Sequence, residues 1–397
     1  MRMSIERWPS AALLNKHRPS VMTNMQPIAT PIAANNRIDA ITGLRGLAAL
    51  LVVYGHSVDW FSLPLVNHFS GEIGVTVFFA LSGFLMAYLY IGRDFTALSV
   101  TEYAIHRFSR IAPAYLFILL VSVIICAVFD PNFVYAITGK NILRHVLFSG
   151  NVSVFWSITP EVEFYFLFVL LWAVSSRYLM RFDMTGFALL AFGCLLLMAY
   201  RDVFPGTFVG SKLHYFLFGA IAGVLRAKIG MDNANPRSLN WLHGVLIAVM
   251  AAAACLILSG HGASVMPFAD NKAFYGSLLT ALFGAFLIFS FSFSSALGDA
   301  VFANRALVLC GECSFSIYLL HMPVIYFFHK YFVQPLPLAM LAPFIALVLG
   351  LSWLNYRLVE RPGARLIKAA GHVFKRKAAW AIPAFRPIPS HKQGELS

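Results

Sequence analysis

The sequence predicts an all-α fold: a polytopic integral membrane helix bundle of about ten transmembrane helices with both termini cytoplasmic. Three observations predict it. Of the 397 residues 59% are apolar and only 12% charged, with a mean hydropathy of +0.73; soluble domains carry about 25% charge, so a water-facing surface is undersupplied by about half. Apolar stretches of about 20 residues, enough to cross roughly 30 Å of hydrocarbon as helix, recur along the whole chain. With the N-terminus placed inside, all but six of the 30 Lys and Arg fall on the cytoplasmic side, the exceptions being Lys140, Arg144, Arg201, Lys212, Lys272 and Lys330. That bias is what the positive-inside rule requires of an even number of spans. The net charge of +13 therefore reads as an orientation, and no nucleic-acid partner is expected.

Residues 1–40 carry scattered charges without an apolar core of signal-peptide length and read as a cytoplasmic tail. The transmembrane domain is placed at 41–362. Span one, about 43–62, runs outward from Arg45 to His56, eleven residues and therefore about 16 Å of rise. Span two, about 72–92, contains Gly71, Gly74 and Gly83 with Ser82, which permit close helix approach or a local break. Span three, about 111–129, follows HRFSRIAPAYL, where Arg107 and Arg110 stand three apart before Pro113. Span four, about 154–176, holds Trp156, Ser157, Glu161, Glu163 and Tyr165; Glu161 and Tyr165 share a helix face, and Glu161 is expected at the depth of His56. Pro160 is expected to bend this span, and Glu163 to face an outer vestibule.

Spans five to eight, about 184–200, 211–227, 240–260 and 273–292, are the plainer apolar runs. Span nine, about 306–327, brings Ser314, Tyr318 and His321 outward along one face, and span ten covers about 334–355. Residues 363–397 form a basic cytoplasmic tail suited to anionic lipid. Strand-type alternation is missing, which excludes a lipid-facing barrel. The five cysteines lie in or beside apolar runs and read as small core residues, Cys310 and Cys313 included.

Ionisable groups inside spans are costly and mark bundle interiors or water-filled cavities. His56, Glu161, Tyr318 and Ser314 are expected to converge on one layer in the outer half. There a histidine can take the proton of an alcohol if a carboxylate fixes its tautomer, and Glu161 is the available carboxylate. Each residue also has a packing alternative: His321 reads at least as well as a hydrogen-bonded core histidine, Tyr165, Tyr318 and Ser314 as mutually satisfied groups between helices, and Arg45, Arg107 and Arg110 as inner-face anchors. Arg107 and Arg110 equally suit bidentate contact with phosphate. No phosphate loop and no metal-ligand pattern accompanies them.

These motifs resemble the membrane-bound acyltransferase family 3, the bacterial O-acyltransferases of surface polysaccharides, over about 330 residues. The resemblance rests on Arg45 and His56 within GLRGLAALLVVYGH, on Gly71 to Phe84, on Arg107, Arg110, Pro113 and Tyr115, and on Trp156, Glu161, Phe164 and Tyr165. It continues through SFSIYLLHMP and YRLVERP, which supply Ser314, Tyr318, His321, Pro323, Glu360, Arg361 and Pro362. Two departures stand out: Thr76, where many members carry an acid, and Pro160 beside Glu161. With no GDS-type segment after the last span, the chain resembles the stand-alone form without an SGNH domain.

The resemblance implies a multi-pass enzyme of the bacterial cytoplasmic membrane. It would transfer an acyl group, usually acetyl from acetyl-CoA, to a sugar hydroxyl of an exopolysaccharide, lipopolysaccharide or related glycan, with acyl-CoA as donor substrate and no tightly bound cofactor. In that frame His56 is the general base or handles the acyl group, Glu161 orients it, Tyr318 and Ser314 donate to the oxyanion, and Arg45, Arg107 and Arg110 hold CoA phosphates. Trp156, Tyr165, His321 and Gly83 are substrate-binding or structural. A homo-oligomer is left open. The rival of another class is a secondary transporter, since buried charge, Gly and Pro also build carriers; it would need paired repeat halves, and the polar sites of spans one to four have no counterpart in spans six to nine. A non-catalytic scaffold would not need Arg45, His56 and Glu161 together.

Overall fold

A computed structural model describes residues 38–58, 60–61, 69–181, 184–229, 235–265, 267–332 and 336–381. Residues 1–37 of the expected N-terminal tail and 382–397 of the expected C-terminal tail lie outside the described residues. The chain is all-α. In order come α1 (Asp39–Val58), α2 (Ser70–Tyr90), α3 (Ala97–Ile124), α4 (Ile142–Val146), α5 (Ile158–Arg181), α6 (Met184–Ala199), α7 (Leu213–Ile229) and α8 (Pro236–Leu256). Then follow α9 (Gly262–Val265), α10 (Asn271–Gly276), α11 (Leu278–Phe291), α12 (Ala296–Phe302), α13 (Arg305–Glu312), α14 (Ser314–Tyr331), α15 (Leu341–Asn355) and α16 (Arg361–Ala381).

Helix starts are written in the loops. The side chains of Thr96, Asn235, Asp270, Ser277, Ser295 and Asn304 each accept from a backbone N–H of the first turn of the helix that follows, satisfying donors that a helix end leaves without partners. Pro160 does not bend a span. α5 begins at Ile158, so the proline sits in the first turn, where a missing N–H costs nothing.

Among the described residues six helices are long and apolar enough to cross a membrane, and eight if each of two bent pairs, α11 with α12 and α13 with α14, is one span. The expected count of ten differs because the fifth and sixth windows give helices of only 16 and 17 residues, α6 and α7. Large apolar side chains face outward along the bundle, Phe166 and Leu279 among them at 73% and 77% exposure. In water such a surface would be a large apolar patch; against lipid it is the expected exterior.

The most extensive pairing joins α2 and α7. A Cβ on Gly83 would stand 2.0 Å from the Phe216 carbonyl oxygen, and one on Gly219 2.0 Å from that of Ala80, so the two backbones approach as only glycine allows. Gly83 is thus a packing residue. Part of the segment between α3 and α5 folds into the bundle. Phe133, Tyr135, His145 and Phe155 are buried, the Tyr135 hydroxyl donates to Leu319 O at 2.8 Å and the Tyr115 hydroxyl to His145 O at 2.8 Å. The expected domain boundary at 362 falls inside α16, which runs unbroken from Arg361 to Ala381.

Candidate active site

Two cavities enter the bundle from opposite directions. One of about 600 Å³ opens at the end where α1 starts, here the basic end, and is lined by Arg45, Ser82, Arg107, Arg110, Ser157, Glu161, Tyr165, Ser314, Tyr318 and Glu360, with Arg361, Arg365 and Lys368 at α16. The other, of about 690 Å³, lies toward the far end and is lined by His56, Glu72, Trp156, Asp270, Tyr275 and Tyr318. Val75 and Tyr318 line both, and so form the partition.

The basic-end cavity is built on α1, α2, α3, α5, α14 and α16. The Glu161 carboxylate accepts from the Ser82 hydroxyl at 2.8 Å and from the Tyr165 hydroxyl, one turn on, at 2.7 Å. Tyr103 of α3 in turn donates to the Tyr165 carbonyl at 3.0 Å. Arg107 packs beside Tyr90 and Tyr103, its guanidinium carbon 5.8 and 6.0 Å from the ring centres, and its Nε has no hydrogen-bond partner. Arg110 is committed elsewhere: it pairs with Glu360 at 2.5 Å, while the second Glu360 oxygen accepts from Ser316 at 2.8 Å. Arg45 donates twice, at 2.9 and 2.6 Å, to the carbonyl of Gly311, where α13 bends into α14. Ser314 opens α14 fully buried, with an unpartnered hydroxyl.

The far cavity places His56 at the end of α1, its ring stacked on His321 at 5.2 Å between centroids. His321 is fully buried and its Nδ1 lies 3.2 Å from the Ile317 carbonyl. A carbonyl only accepts, so Nδ1 carries the proton and Nε2, without a partner, is left with its lone pair. Trp156 stands edge-on to Tyr275 at 5.7 Å, giving the cavity an aromatic wall.

The single layer expected from helix rise therefore divides in two. Glu161 lies beside Ser82 and lines the cavity of Arg45, not that of His56, because the segment before α5 is folded inward and the helix starts deep. The carboxylates lining the cavity of His56 are Glu72 of GEIGVTVFF and Asp270, and sequence reasoning missed both; Asp270 also caps α10. The signal of Glu72 was the four-residue step to Thr76: the acid absent at 76 has a counterpart one turn earlier on the same face. Glu163 does not face a vestibule either, its carboxylate accepting from the Val209 N–H at 2.7 Å. Tyr318 is less free than expected of an oxyanion donor: it donates to Val154 O at 2.8 Å and so accepts from Ser157 at 2.7 Å. Arg361, Arg365 and Lys368 were also missed as site residues, although their spacing of four and three puts them on one helix face. Among the described residues no group of three His, Cys, Asp or Glu could hold a metal ion.

This division, with a basic chamber and a histidine chamber meeting at one tyrosine, belongs to a multi-pass protein of the bacterial cytoplasmic membrane. The chain is a member of the acyltransferase domain family, whose pattern matches residues 38–357. It is 24% identical over 357 residues to a candidate O-acetyltransferase of Staphylococcus aureus strain COL, covering 82% of this chain and 57% of that protein. It is 23% identical over 380 residues to the O-acetyltransferase OatA of Staphylococcus aureus strain MRSA252, covering 87% and 60%. The chain thus spans a little over half the length of the curated relatives it matches. No solved structure matches it.

Proposed function

We propose that the protein is an O-acyltransferase that moves an acyl group, acetyl from acetyl-CoA, to a sugar hydroxyl of an exopolysaccharide, lipopolysaccharide or related glycan. The observation that carries this reading is the pair of cavities sharing Tyr318 and Val75: one suits an anionic donor, the other holds a candidate base and an aromatic wall for a sugar ring. The basic end is taken as cytoplasmic, with ten spans and both termini inside, which sets the donor chamber against the CoA pool and the far chamber against the glycan.

In the reaction His56 accepts the proton of the acceptor hydroxyl, whose oxygen attacks the thioester carbon. The tetrahedral oxyanion collapses, the C–S bond breaks, and CoA leaves as the thiolate, which takes the proton back from His56 and so restores the base. An unactivated alcohol needs both a base and a preorganised donor for that oxyanion. Ser314, buried with a free hydroxyl, is the better donor of the two expected, because the Tyr318 proton is already given to Val154. Glu161, held by Ser82 and Tyr165, sets the charge of the donor chamber rather than the tautomer of His56, and Trp156 with Glu72 contacts the sugar. His321 supports His56 from behind.

Mass spectrometry of surface glycans from intact cells, a deletion strain and a His56→Ala strain tests this. One ester-linked mass should vanish with both genetic changes; unchanged esters across all glycan classes would reject the reading.

A further inference from the structure

The pair Arg107 and Arg110 has the sequence spacing of a phosphate clamp, yet in three dimensions only Arg107 is available. The guanidinium of Arg110 is bound to Glu360, whose side chain is 4% exposed, and Ser316 and Asn355 complete that network at 2.8 and 2.9 Å. Replacing such a partner by a phosphate would strand a buried carboxylate, which costs more than a surface contact returns. The cavity has other cations. Arg361, Arg365 and Lys368 lie along one face of α16, line the mouth of the chamber, are exposed, and make no ion pair or hydrogen bond with any described side chain. Their position is built in: Gly363 lets α16 press onto α3, since a Cβ there would stand 2.6 Å from Pro113 Cβ. Three cations one turn apart, held over the opening of a cavity that leads to Tyr318, match a ligand with clustered phosphates outside and a slender arm inside.

Resting on the acyl-CoA reading above, we propose that Arg361, Arg365 and Lys368 of α16, with Arg107, bind the nucleotide phosphates of the donor, and that Arg110 is a structural residue. Anionic lipid headgroups share this phosphate chemistry, so the test separates the two sources. Binding of CoA and of pantetheine, which lacks the nucleotide and its phosphates, is measured by calorimetry on the full chain in phosphatidylcholine nanodiscs and in nanodiscs containing phosphatidylglycerol. The variants are Arg365→Gln with Lys368→Gln, and Arg365→Lys with Lys368→Arg as a charge-keeping control for folding.

The double Gln variant should bind CoA about tenfold or more weakly in phosphatidylcholine, with pantetheine binding as in the wild type and the control close to wild type for both. CoA affinity equal to wild type in the Gln variant overturns the proposal, as does an equal loss for CoA and pantetheine, which would mean a deformed cavity. Intact CoA affinity of the Gln variant in phosphatidylcholine, together with loss of a weakening by phosphatidylglycerol that the wild type shows, would overturn it in favour of a lipid site. A wild type that binds neither CoA nor acetyl-CoA would instead remove the donor reading itself.

Discussion

The two chambers differ in charge, and the difference follows from which helices build each. The basic-end chamber collects Arg45, Arg107, Arg110, Arg361, Arg365 and Lys368 against two carboxylates, Glu161 and Glu360. The far chamber has no Lys or Arg among its described lining residues and holds Glu72 and Asp270 beside His56. The first draws on α3 and α16, whose basic residues lie where a cytoplasmic surface would be. The second draws on α1, α2 and the segment from Asp270 to Tyr275, which carry little positive charge. Under the proposed function, such a contrast would keep a polyanionic donor in one chamber and leave the other to a neutral polar acceptor. Arg45 and His56, eleven residues apart on one helix, accordingly line different cavities.

Breaking one chamber should spare the other. The largest effect is expected from His56→Ala: transfer measured as ester formation should fall by about 10³-fold, while CoA binding by calorimetry stays at the wild-type level. Next is Ser314→Ala, which removes the free hydroxyl at the head of α14; turnover should drop by about 10²-fold with the KM for acetyl-CoA little changed. Arg110→Gln sharpens the contrast inside the basic chamber. It leaves Glu360 without its cation, and because Arg110 is one third exposed the cost should be about 2 to 3 kcal/mol, read as a lower thermal midpoint in detergent with CoA affinity nearly intact.

The smallest effect concerns the far end. Asp130, just outside α3, accepts from Lys330 at 2.5 Å and Tyr326 at 2.6 Å, and these partners hold its carboxyl below the ordinary value of 3.8. A depressed carboxylate contributes stability that is present above 3.8 and lost as pH falls through the lowered value. Asp130→Asn should therefore lower the thermal midpoint slightly at pH 7, and the difference from wild type should shrink as pH falls below 3.8 and through the lowered value.

Much of the architecture was legible because hydrophobic length and charge position are local properties. The long helices α1, α2, α3, α5 and α8 follow directly from continuous apolar runs, and the separation of Arg45 from His56 follows from helix rise alone. What was not legible depends on chain reversals and long-range partners. The depth of Glu161 could not be read from a window of hydropathy, because it depends on residues 130–157 folding inward beneath α14. The commitment of Arg110 to Glu360, 250 residues away, leaves no mark on the spacing of Arg107 and Arg110. Glu72 drew no separate reading from the sequence, and only the shared cavity pairs it with His56. The shortness of α6 and α7 likewise depends on where turns fall, which apolar composition does not specify.

The central claim is that donor and acceptor enter from opposite ends. Labelled acetyl-CoA, which does not cross a bilayer, can be offered to the protein in sealed vesicles of a single known orientation. Binding should occur only when the basic end faces the bulk solution and should fall to background when the far end does. Equal binding from the far end would contradict the two-chamber account.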